Sequence, residues 1–560
     1  MAEKNVIILT NDNIKQENLL KSKQIKKAKF IQKFSINNLF FILFEIIFLL
    51  MPKIITSINY IKIKVNQIGY NQIFSDGYKG PLPSKIIFNE LPLLMLNKII
   101  NINDTNKQIY LEWETPINVF SFMFSNLSSI NSITMNFALQ SNYKLSNMSY
   151  NCYNLEEFVY NKDNADSLDN IDMSKMFYNC SSLKSFNFQK LNLSDVNTSY
   201  MFYNCLNLNT FNFISYSFNV NDIKGMFYNC ISLEQIQLDN IQTSDFIDVS
   251  YMFYNCSKLT SFISGNIRVN EMKYIFYNCS SLIELNMNYF IGSNNYINMT
   301  NLFYNCYKLE KIEGGFDNLL IYDTSKMFYN CISLTSLKFN PKKVQEINMT
   351  KMFYNCEKIE NIALTIGENE IDLYNNDTNE TIVYPIYSYF YTNDLSYAFY
   401  NCVSLFSLEF KYFSTDYAKE IKYMMFNCTN LVDILTYESS FSNDLITNMR
   451  GVFQNCESLI RLDLTIFHTD NVEIMWDMFK NCKSLKYLNL QSFKTSKVTD
   501  MESMFEGCSS LTSLSLEHFE TSNVHYMNKM FSGCTSLEEL NFKYISSESL
   551  GTMHQMFYNC

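Results

Sequence analysis

The residues with the greatest chemical potential in this sequence are sixteen cysteines, and all of them occupy one position of an internal repeat. Cys456, Cys482, Cys508, Cys534 and Cys560 recur every 26 residues. Equivalent positions of stacked repeats lie about 4.8 Å apart, a separation that a disulfide tolerates. Equivalent side chains nevertheless point in parallel rather than toward one another. We therefore expect reduced, buried thiols, with disulfides as the alternative.

The same cysteines make a poor metal or catalytic site. The sequence contains no C-x-x-C pair, and a line of single ligands cannot assemble a tetrahedron around zinc. The four histidines, His468, His518, His525 and His554, fall at positions that we expect to be polar or solvated. With only 13 glycines, loops that cradle phosphate are not expected either. The sequence thus predicts no metal, no cofactor and no enzymatic activity.

Two periodicities alternate within each repeat and indicate the elements that carry the cysteines. Leu485, Leu488 and Leu490 form L-x-x-L-x-L, whose last pair alternates as in a short strand. Met475, Met478, Phe479 and Cys482 follow the i, i+3, i+4, i+7 spacing of one helical face. Repeats of this length bury their apolar faces by stacking. We therefore predict an α/β solenoid of about seventeen units of about 23–28 residues, each a parallel strand plus a short helix.

The repeat resembles that of a known family. The pattern M-F-x-x-C-x-S-L-x-x-L-x-L, followed by F-x-T-S-x-V-x-x-M, resembles the BspA-like leucine-rich-repeat surface proteins of bacteria and protists. The resemblance covers roughly residues 120–560. It implies a leucine-rich-repeat fold and a surface or adhesion role, and it brings no catalytic motif with it.

The N-terminal region has the order of a membrane-targeting segment. Residues 1–35 form a lysine-rich tail, and residues 36–54 contain the apolar run LFFILFEIIFLLM. We slightly favour an uncleaved signal anchor, with the tail cytoplasmic, over a cleaved signal peptide. A buried helix of a cytosolic protein is the third interpretation. The signal anchor predicts a membrane-bound protein with extracellular repeats, and the cleaved signal peptide predicts a secreted protein. The buried helix, which is less favoured, predicts a cytoplasmic protein.

Two further segments depart from the repeat. Residues 55–119 contain three strand-like stretches, INYIKIKVNQIGY, SKIIFNE and KQIYLEWE, and are predicted to form a small β-rich N-terminal cap for the array at 120–560. The 46 residues between Cys356 and Cys402 exceed one unit, so an insertion near 366–391 should loop out. Such a loop serves recognition or is merely tolerated. The sequence stops at the cysteine of a repeat, and we expect it to be a fragment.

The binding surface is predicted from the strand pattern. Residues that flank the penultimate leucine of L-x-x-L-x-L should face away from the core. The net charge of −11 argues against nucleic acid, and a polar face suits proteins or glycans. We predict a non-enzymatic cell-surface protein that binds such ligands, for example in adhesion; the alternative is an intracellular leucine-rich-repeat scaffold for protein–protein interaction. The candidate face comprises Arg461, Asp463, Tyr487, Asn489, Ser513, Ser515, Glu539 and Asn541.

Overall fold

The computed structural model describes residues 59–560, except 89, 93–94, 96–97, 106–107, 138, 162–166, 365–368, 376–379, 387–389, 411–412, 436–440 and 442–443. The tail at 1–35 and the apolar segment at 36–54 lie outside the described residues. Across the ranges that are described, no helix has the length and apolar character needed to cross a bilayer.

The chain winds into a parallel β-solenoid of many short strands. Each coil pairs with the next through parallel ladders, as the repeat predicts. The number of units stays a prediction. The strands are β1 Asn59–Val65, β2 Gly69–Gln72, β3 Lys85–Phe88, β4 Leu91–Pro92, β5 Ile99–Ile102, β6 Ile109–Trp113, β7 Ile130–Asn136, β8 Glu157–Tyr160, β9 Ser167–Asp169, β10 Ser185–Asn197, β11 Thr210–Asp222, β12 Gln235–Leu238, β13 Ile241–Gln242, β14 Ile247–Asp248, β15 Ser261–Ser264, β16 Ile267–Glu271, β17 Glu284–Asn286, β18 Phe290–Gly292, β19 Ile297–Asn298, β20 Lys311–Glu313, β21 Leu320–Asp323, β22 Ser336–Phe339, β23 Lys343–Asn348, β24 Asn361–Leu364, β25 Asn369–Asn375, β26 Glu380–Ile386, β27 Phe390–Asp394, β28 Ser407–Glu409, β29 Phe413–Ser414, β30 Asp433–Leu435, β31 Arg461–Asp463, β32 Tyr487–Asn489, β33 Ser513–Ser515 and β34 Glu539–Asn541.

The first strand of the array has an antiparallel neighbour from the preceding segment. β1 pairs antiparallel with β6 on one edge and with β7 on the other. β7 then pairs parallel with β8, and β8 with β10. Because β1 occupies the edge of β7 that no earlier coil covers, the unpaired groups of that edge are satisfied. The strands of residues 59–113 are placed where a cap would act; the domain boundaries themselves stay predictions.

The predicted short helix of each unit is wrong. The only helix among the described residues is a three-residue 3-10 turn, Met287–Tyr289. In the coil that contains Cys482, the amides of Met478 and Cys482 donate to carbonyls three residues earlier, at 3.3 and 3.1 Å. Between them, the amides of Phe479 and Asn481 donate to the next coil, to the Met504 and Glu506 oxygens at 2.8 and 2.6 Å, whereas the Lys480 amide donates to the Asp477 oxygen of its own coil at 3.1 Å. Successive turns therefore replace the helix and extend the ladder between coils.

Left-handed backbone conformations explain why these turns do not continue as a helix. Asp477 and Asn481 have φ values of 57° and 61°, which right-handed helices do not contain. Each stands third in a four-residue turn, where a type II turn requires positive φ. Residues spaced at i, i+3, i+4 and i+7 still point into the core, because each of the two consecutive turns brings the chain back to the inner side of the solenoid. Met475, Met478, Phe479 and Cys482 are all fully buried, so their spacing imitates a helix.

The asparagine before each cysteine serves both the turn and the stacking of coils. Its short amide side chain tolerates the left-handed region. It also forms a ladder, as where Asn481 Nδ2 donates to Asn455 Oδ1 at 2.9 Å. In two coils the position is taken by Gly507 and Gly533, with φ of 76° and 77°. The backbone conformation is therefore the first requirement of this position, and the amide ladder is the second.

This double role predicts a specific order of stabilities at Asn455, whose φ is 63°. Asn455→Ala should lower the free energy of unfolding by about 2 kcal/mol, since it loses the hydrogen bond and strains the left-handed residue. Asn455→Gly should cost only about 1 kcal/mol, because glycine adopts this conformation freely. Urea denaturation of both variants measures the order. An alanine variant as stable as the glycine variant would contradict the proposed turn.

The core is a set of columns that run along the array. The residue three positions before the cysteine is phenylalanine in fourteen of sixteen cases, the exceptions being Ser149 and Met425. These rings stack on their equivalents, with centroids 5.5 Å apart between Phe453 and Phe479 and between Phe479 and Phe505. Methionine, leucine and cysteine columns run beside them, and their members are buried except in the last coil, where Leu537 is half-buried and Met553 and Cys560 are exposed. Each coil thus buries its apolar groups against two neighbours, as a solenoid must.

The insertion between Cys356 and Cys402 contains a hairpin. β25 and β26 pair antiparallel from Asn369 to Asn375 and from Glu380 to Ile386. The array resumes directly after it, since β27 pairs with β23 and Phe353 donates to the Ala398 oxygen at 2.7 Å. The excess residues are therefore accommodated without interrupting the ladder of coils.

Candidate binding face

The strand face predicted to bind ligands lies on the last four strands of the array. β31 pairs in parallel register with β32, so that Arg461 faces Tyr487 and Asp463 faces Asn489. β33 pairs in the same way with β34, so that Ser513 faces Glu539 and Ser515 faces Asn541. The central leucine of each strand points inward: Leu462, Leu488 and Leu514 are buried, whereas Leu540 is half-buried. The eight candidate residues therefore form two parallel rows.

These two rows are open to solvent and partly connected. Of the eight residues only Asn489 is half-buried, and the others are exposed. The Arg461 guanidinium lies over the Tyr487 ring, 5.3 Å from its centroid. Asn489 Nδ2 donates to Asp463 Oδ2 at 3.5 Å, and Asn541 Nδ2 donates to Glu517 Oε1. The face presents a mixture of charges, amides, hydroxyls and one aromatic ring, which can recognise a polar surface through many weak contacts.

A similar polar row continues along the earlier strands. Glu284 on β17 faces Lys311 on β20, whose ammonium lies 2.6 Å from the Glu313 carboxylate. Further along, Ser336, Asn361, Ser407 and Asp433 occupy successive rungs of one sheet. These rungs carry small polar or charged side chains, whereas the rung of Arg461 and Tyr487 adds an aromatic ring with a cation over it. The geometry therefore offers an extended surface rather than a single pocket.

The cysteine column is buried and its sulfurs are free. All sixteen cysteines are free thiols, and fifteen are buried. Each Sγ donates to a backbone oxygen of the preceding coil. The acceptor lies three residues before the cysteine position of that coil, as where Cys482 Sγ donates to the Phe453 oxygen at 3.1 Å. Burial raises the pKa of these thiols, to about 12 for Cys256 and Cys428. A protonated thiol that donates to a carbonyl is a structural group and a poor nucleophile.

This arrangement predicts the reactivity of the thiols. Brief treatment of the native chain with iodoacetamide near pH 8 should modify Cys560, which is exposed, and leave the fifteen buried thiols unmodified. Burial excludes the reagent, and the raised pKa keeps the thiols protonated. Mass spectrometry of peptides counts the modified cysteines, and denatured protein provides the control with sixteen. Modification of many cysteines before unfolding would contradict the buried column.

One surface feature was missed from the sequence. The residue two positions before the cysteine is tyrosine in eleven coils, and the ten of these rings that lie in consecutive coils stack face to face along the outside of the solenoid. Tyr178 and Tyr203 have centroids 4.3 Å apart and planes within 3°. Burial and the neighbouring tyrosines raise the pKa of Tyr178 and Tyr228 to about 12. The repeated F-Y-N-C of the sequence carries this signal. We call this feature the tyrosine column; its members are Tyr150, Tyr178, Tyr203, Tyr228, Tyr254, Tyr277, Tyr304, Tyr329, Tyr354 and Tyr400, and Phe426 continues the stack.

Metal ligands do not gather in the described part of the chain, where no group of three or more His, Cys, Asp or Glu side chains could hold an ion. His468 lies 3.7 Å from Asp444, and both side chains are at least half exposed. A pair of this kind orients no nucleophile. The described residues thus offer surfaces for binding, and no constellation for chemistry is seen among them.

Two family models match the sequence. One, described as "BspA type Leucine rich repeat region (6 copies)", matches residues 103–224 and 273–386. The other, described as "Mycoplasma protein of unknown function, DUF285", matches residues 171–282, 393–487 and 447–560, which together cover half of the chain. No curated protein matches the sequence.

Solved structures of leucine-rich-repeat proteins are distantly similar. A leucine-rich repeat protein from Bacteroides ovatus is 19% identical, with 58% of this chain and 76% of that chain covered and a TM-score of 0.29. A leucine rich cell surface protein from Faecalibacterium prausnitzii is also 19% identical, with 68% and 80% covered and a TM-score of 0.26. A leucine-rich-repeat protein from Leptospira interrogans is 15% identical, with 70% and 86% covered and a TM-score of 0.23. Likeness at this level carries no argument about ligands.

The repeat pattern, the stacked coils and the family models agree with one another. The earlier resemblance is therefore confirmed. Over half of its length the chain belongs to the family described as Mycoplasma protein of unknown function, DUF285, and over residues 103–224 and 273–386 it matches the BspA-type leucine-rich-repeat model.

Proposed function

We propose that this protein is a non-enzymatic cell-surface leucine-rich-repeat protein whose open strand face binds a protein or a glycan, in the manner of an adhesion module. The observation that carries the proposal is the pair of exposed polar rows on β31–β34, centred on Arg461 over Tyr487. Rigid strands hold these side chains at fixed spacing, so the loss of entropy on binding is small.

Repetition of the rows along the array supports the same function. Parallel rungs recur about every 4.8 Å, so a large partner touches many equivalent groups at once. Individually weak contacts then add up through multivalency. Surface display is supported by the basic-then-apolar order of residues 1–54, which we propose to anchor the protein in the membrane with its repeats outside.

Location is tested by attaching a peptide tag to the C-terminus and labelling intact cells. A tag that antibodies reach without permeabilisation supports the surface assignment. A tag that is reached only after permeabilisation refutes it and favours an intracellular scaffold. Fractionation of the same cells into membrane and medium then distinguishes an uncleaved anchor from a cleaved signal peptide.

Binding is tested with arrays of glycans and of purified extracellular proteins. The variant carrying both Arg461→Ala and Tyr487→Ala should lose most binding to any ligand of the strand face. Tyr526→Ala is a matched control, because Tyr526 is 49% exposed and Tyr487 is 45% exposed, but Tyr526 lies on a different parallel ladder of the coil. Equal loss in the control, or no loss in the double variant, would refute the assignment of the face.

A further inference from the structure

A cavity lies where the N-terminal strands meet the first coil of the array. Its volume is about 300 Å³, at the lower end of the range for small-molecule sites. The cap side contributes the loop after β2, and the array side contributes the first turns before β7. The lining residues are Gln72, Ser75, Asp76, Gly77, Phe122, Ser125, Asn126, Leu127 and Tyr150.

The cavity exists because one ring is missing from the tyrosine column. Tyr150 is the first tyrosine of the column, and its ring stacks on Tyr178 with centroids 4.9 Å apart. In the preceding coil the equivalent position is Ser125, since Leu127 occupies the cysteine position there. Among the described residues, Tyr150 has no ring partner other than Tyr178. One face of Tyr150 therefore borders the space that a tyrosine fills in later coils.

Polar groups surround that aromatic face. Asp76 is exposed, and its Oδ1 accepts a hydrogen bond from Gln72 Nε2 at 3.3 Å. Asn126 Oδ1 accepts from Asn151 at 2.9 Å, and one of its Nδ2 protons is directed to Ser125 at 3.2 Å. The second Nδ2 proton of Asn126 remains for a ligand. The site thus combines an aromatic platform with a carboxylate, amides and hydroxyls along its rim.

The backbone holds this loop firmly against the array. The amide of Ser75 donates to the Met123 oxygen at 2.9 Å, and Lys98 Nζ donates to the Ser75 oxygen at 2.7 Å. Gly77 also lies close to Phe122, because a Cβ added there would meet the Phe122 Cβ at 3.4 Å. The polar rim is therefore preformed, which lowers the entropy cost of binding a small ligand.

From this geometry we propose that the cavity binds one neutral sugar ring, which stacks on Tyr150 in place of the missing tyrosine. A pyranose has a flat face of C–H groups for the aromatic ring and hydroxyl groups for Asp76, Asn126 and Gln72. The described lining contains no basic side chain and one carboxylate, so anionic sugars are disfavoured. This site is separate from the strand face of β31–β34, and the inference does not depend on it.

The test uses the full chain and saturation-transfer NMR with glucose, galactose, mannose and N-acetylglucosamine, with glucuronate as the anionic comparison. At least one neutral sugar should bind, and more strongly than glucuronate. Ser125→Tyr should supply the missing ring and abolish binding. Tyr150→Leu should weaken binding at least tenfold. Tyr228→Leu is the matched control, since Tyr228 is already covered on both faces by Tyr203 and Tyr254 at 4.6 and 4.5 Å.

Circular dichroism and thermal melting establish that each variant folds before binding is compared. Sugar binding that Ser125→Tyr abolishes and Tyr228→Leu preserves supports the site. Absence of binding to all four neutral sugars overturns the proposal, as does binding that Ser125→Tyr leaves unchanged. Binding of choline without any sugar also overturns it, because the cavity would then be a cation site built from Asp76 and the aromatic rings. Loss of ligand by the Arg461→Ala and Tyr487→Ala variant bears only on the strand face.

Discussion

Alkaline pH is expected to unfold the array well before its tyrosines ionise in the unfolded chain. Burial raises the pKa of fifteen thiols above the ordinary value of 9.0, as for Cys256, whose pKa is about 12. The folded state therefore keeps these protons at a pH where the unfolded state releases them. Stability is fully present below the unfolded pKa and falls as the pH rises above it.

The effect is large because the same group recurs in every coil. Each buried thiol removes about 1.4 kcal/mol of stability per pH unit above its unfolded pKa, and thiols that unfold together add. From pH 9 to pH 10, while the unfolded thiol goes from half to almost fully ionised, the loss is about 1 kcal/mol per thiol, so five coils that unfold as one unit lose about 5 kcal/mol. The loss continues until the folded pKa is reached. We expect the melting temperature to be nearly constant from pH 7 to pH 8 and to fall steeply from pH 9.

Circular dichroism melts at pH 7, 8, 9 and 10, under reducing conditions, measure this dependence. Cys482→Ala provides the control, since removing one thiol should reduce the slope by about 1.4 kcal/mol per pH unit. Staying at or below pH 10 limits the contribution of tyrosine, whose ordinary pKa is 10.0. A melting temperature that is the same at pH 8 and pH 10 would mean that the cysteines are not buried as free thiols.

The strand half of each repeat could be predicted from the sequence with its register. In L-x-x-L-x-L the leucines are large and the flanking residues vary, so the alternation assigns Leu514 inward and Ser513 outward. β33 and its pairing with β34 follow that assignment. Alternation over only three residues is a short signal for a strand. Its repetition in coil after coil is what makes the assignment of inward and outward residues clear.

The turn half could not be predicted in the same way. A helix and two consecutive four-residue turns both place residues i, i+3, i+4 and i+7 toward the core, so the buried pattern of Met475, Met478, Phe479 and Cys482 fits either. The difference lies in the backbone at Asn481, where glycine replaces asparagine in the equivalent coils at Gly507 and Gly533. That exchange is typical of a left-handed residue and could have excluded the helix.

The candidate sites were predictable to different degrees. The strand face follows from local alternation and needs only the register of Arg461, Tyr487 and their equivalents. The cavity beside Tyr150 has two causes. Position 125 carries serine where later coils carry tyrosine, and the loop after β2 approaches this position. Contacts between a capping segment and an array are not encoded in either periodicity, so the cavity could be found only in three dimensions.

The second large effect is expected for Leu514→Asp. Leu514 is 3% exposed and stands in the ladder opposite Leu540. A carboxylate there would be buried among the leucine and phenylalanine columns without a partner. It must either remain charged in an apolar environment or take up a proton, and both cost stability. We expect the free energy of unfolding to fall by about 4 kcal/mol, the range found for unpaired buried charges.

Ser515→Asp is the matched control for Leu514→Asp, one residue away on the same strand. Ser515 is exposed and faces Asn541 across the ladder, so the new charge stays in water and should change stability by less than about 0.5 kcal/mol. Urea denaturation compares the two variants. Because a strand has a period of two, a shift of one residue in the register would exchange their effects. Similar losses in both variants would therefore show that this segment is not a strand with one buried face.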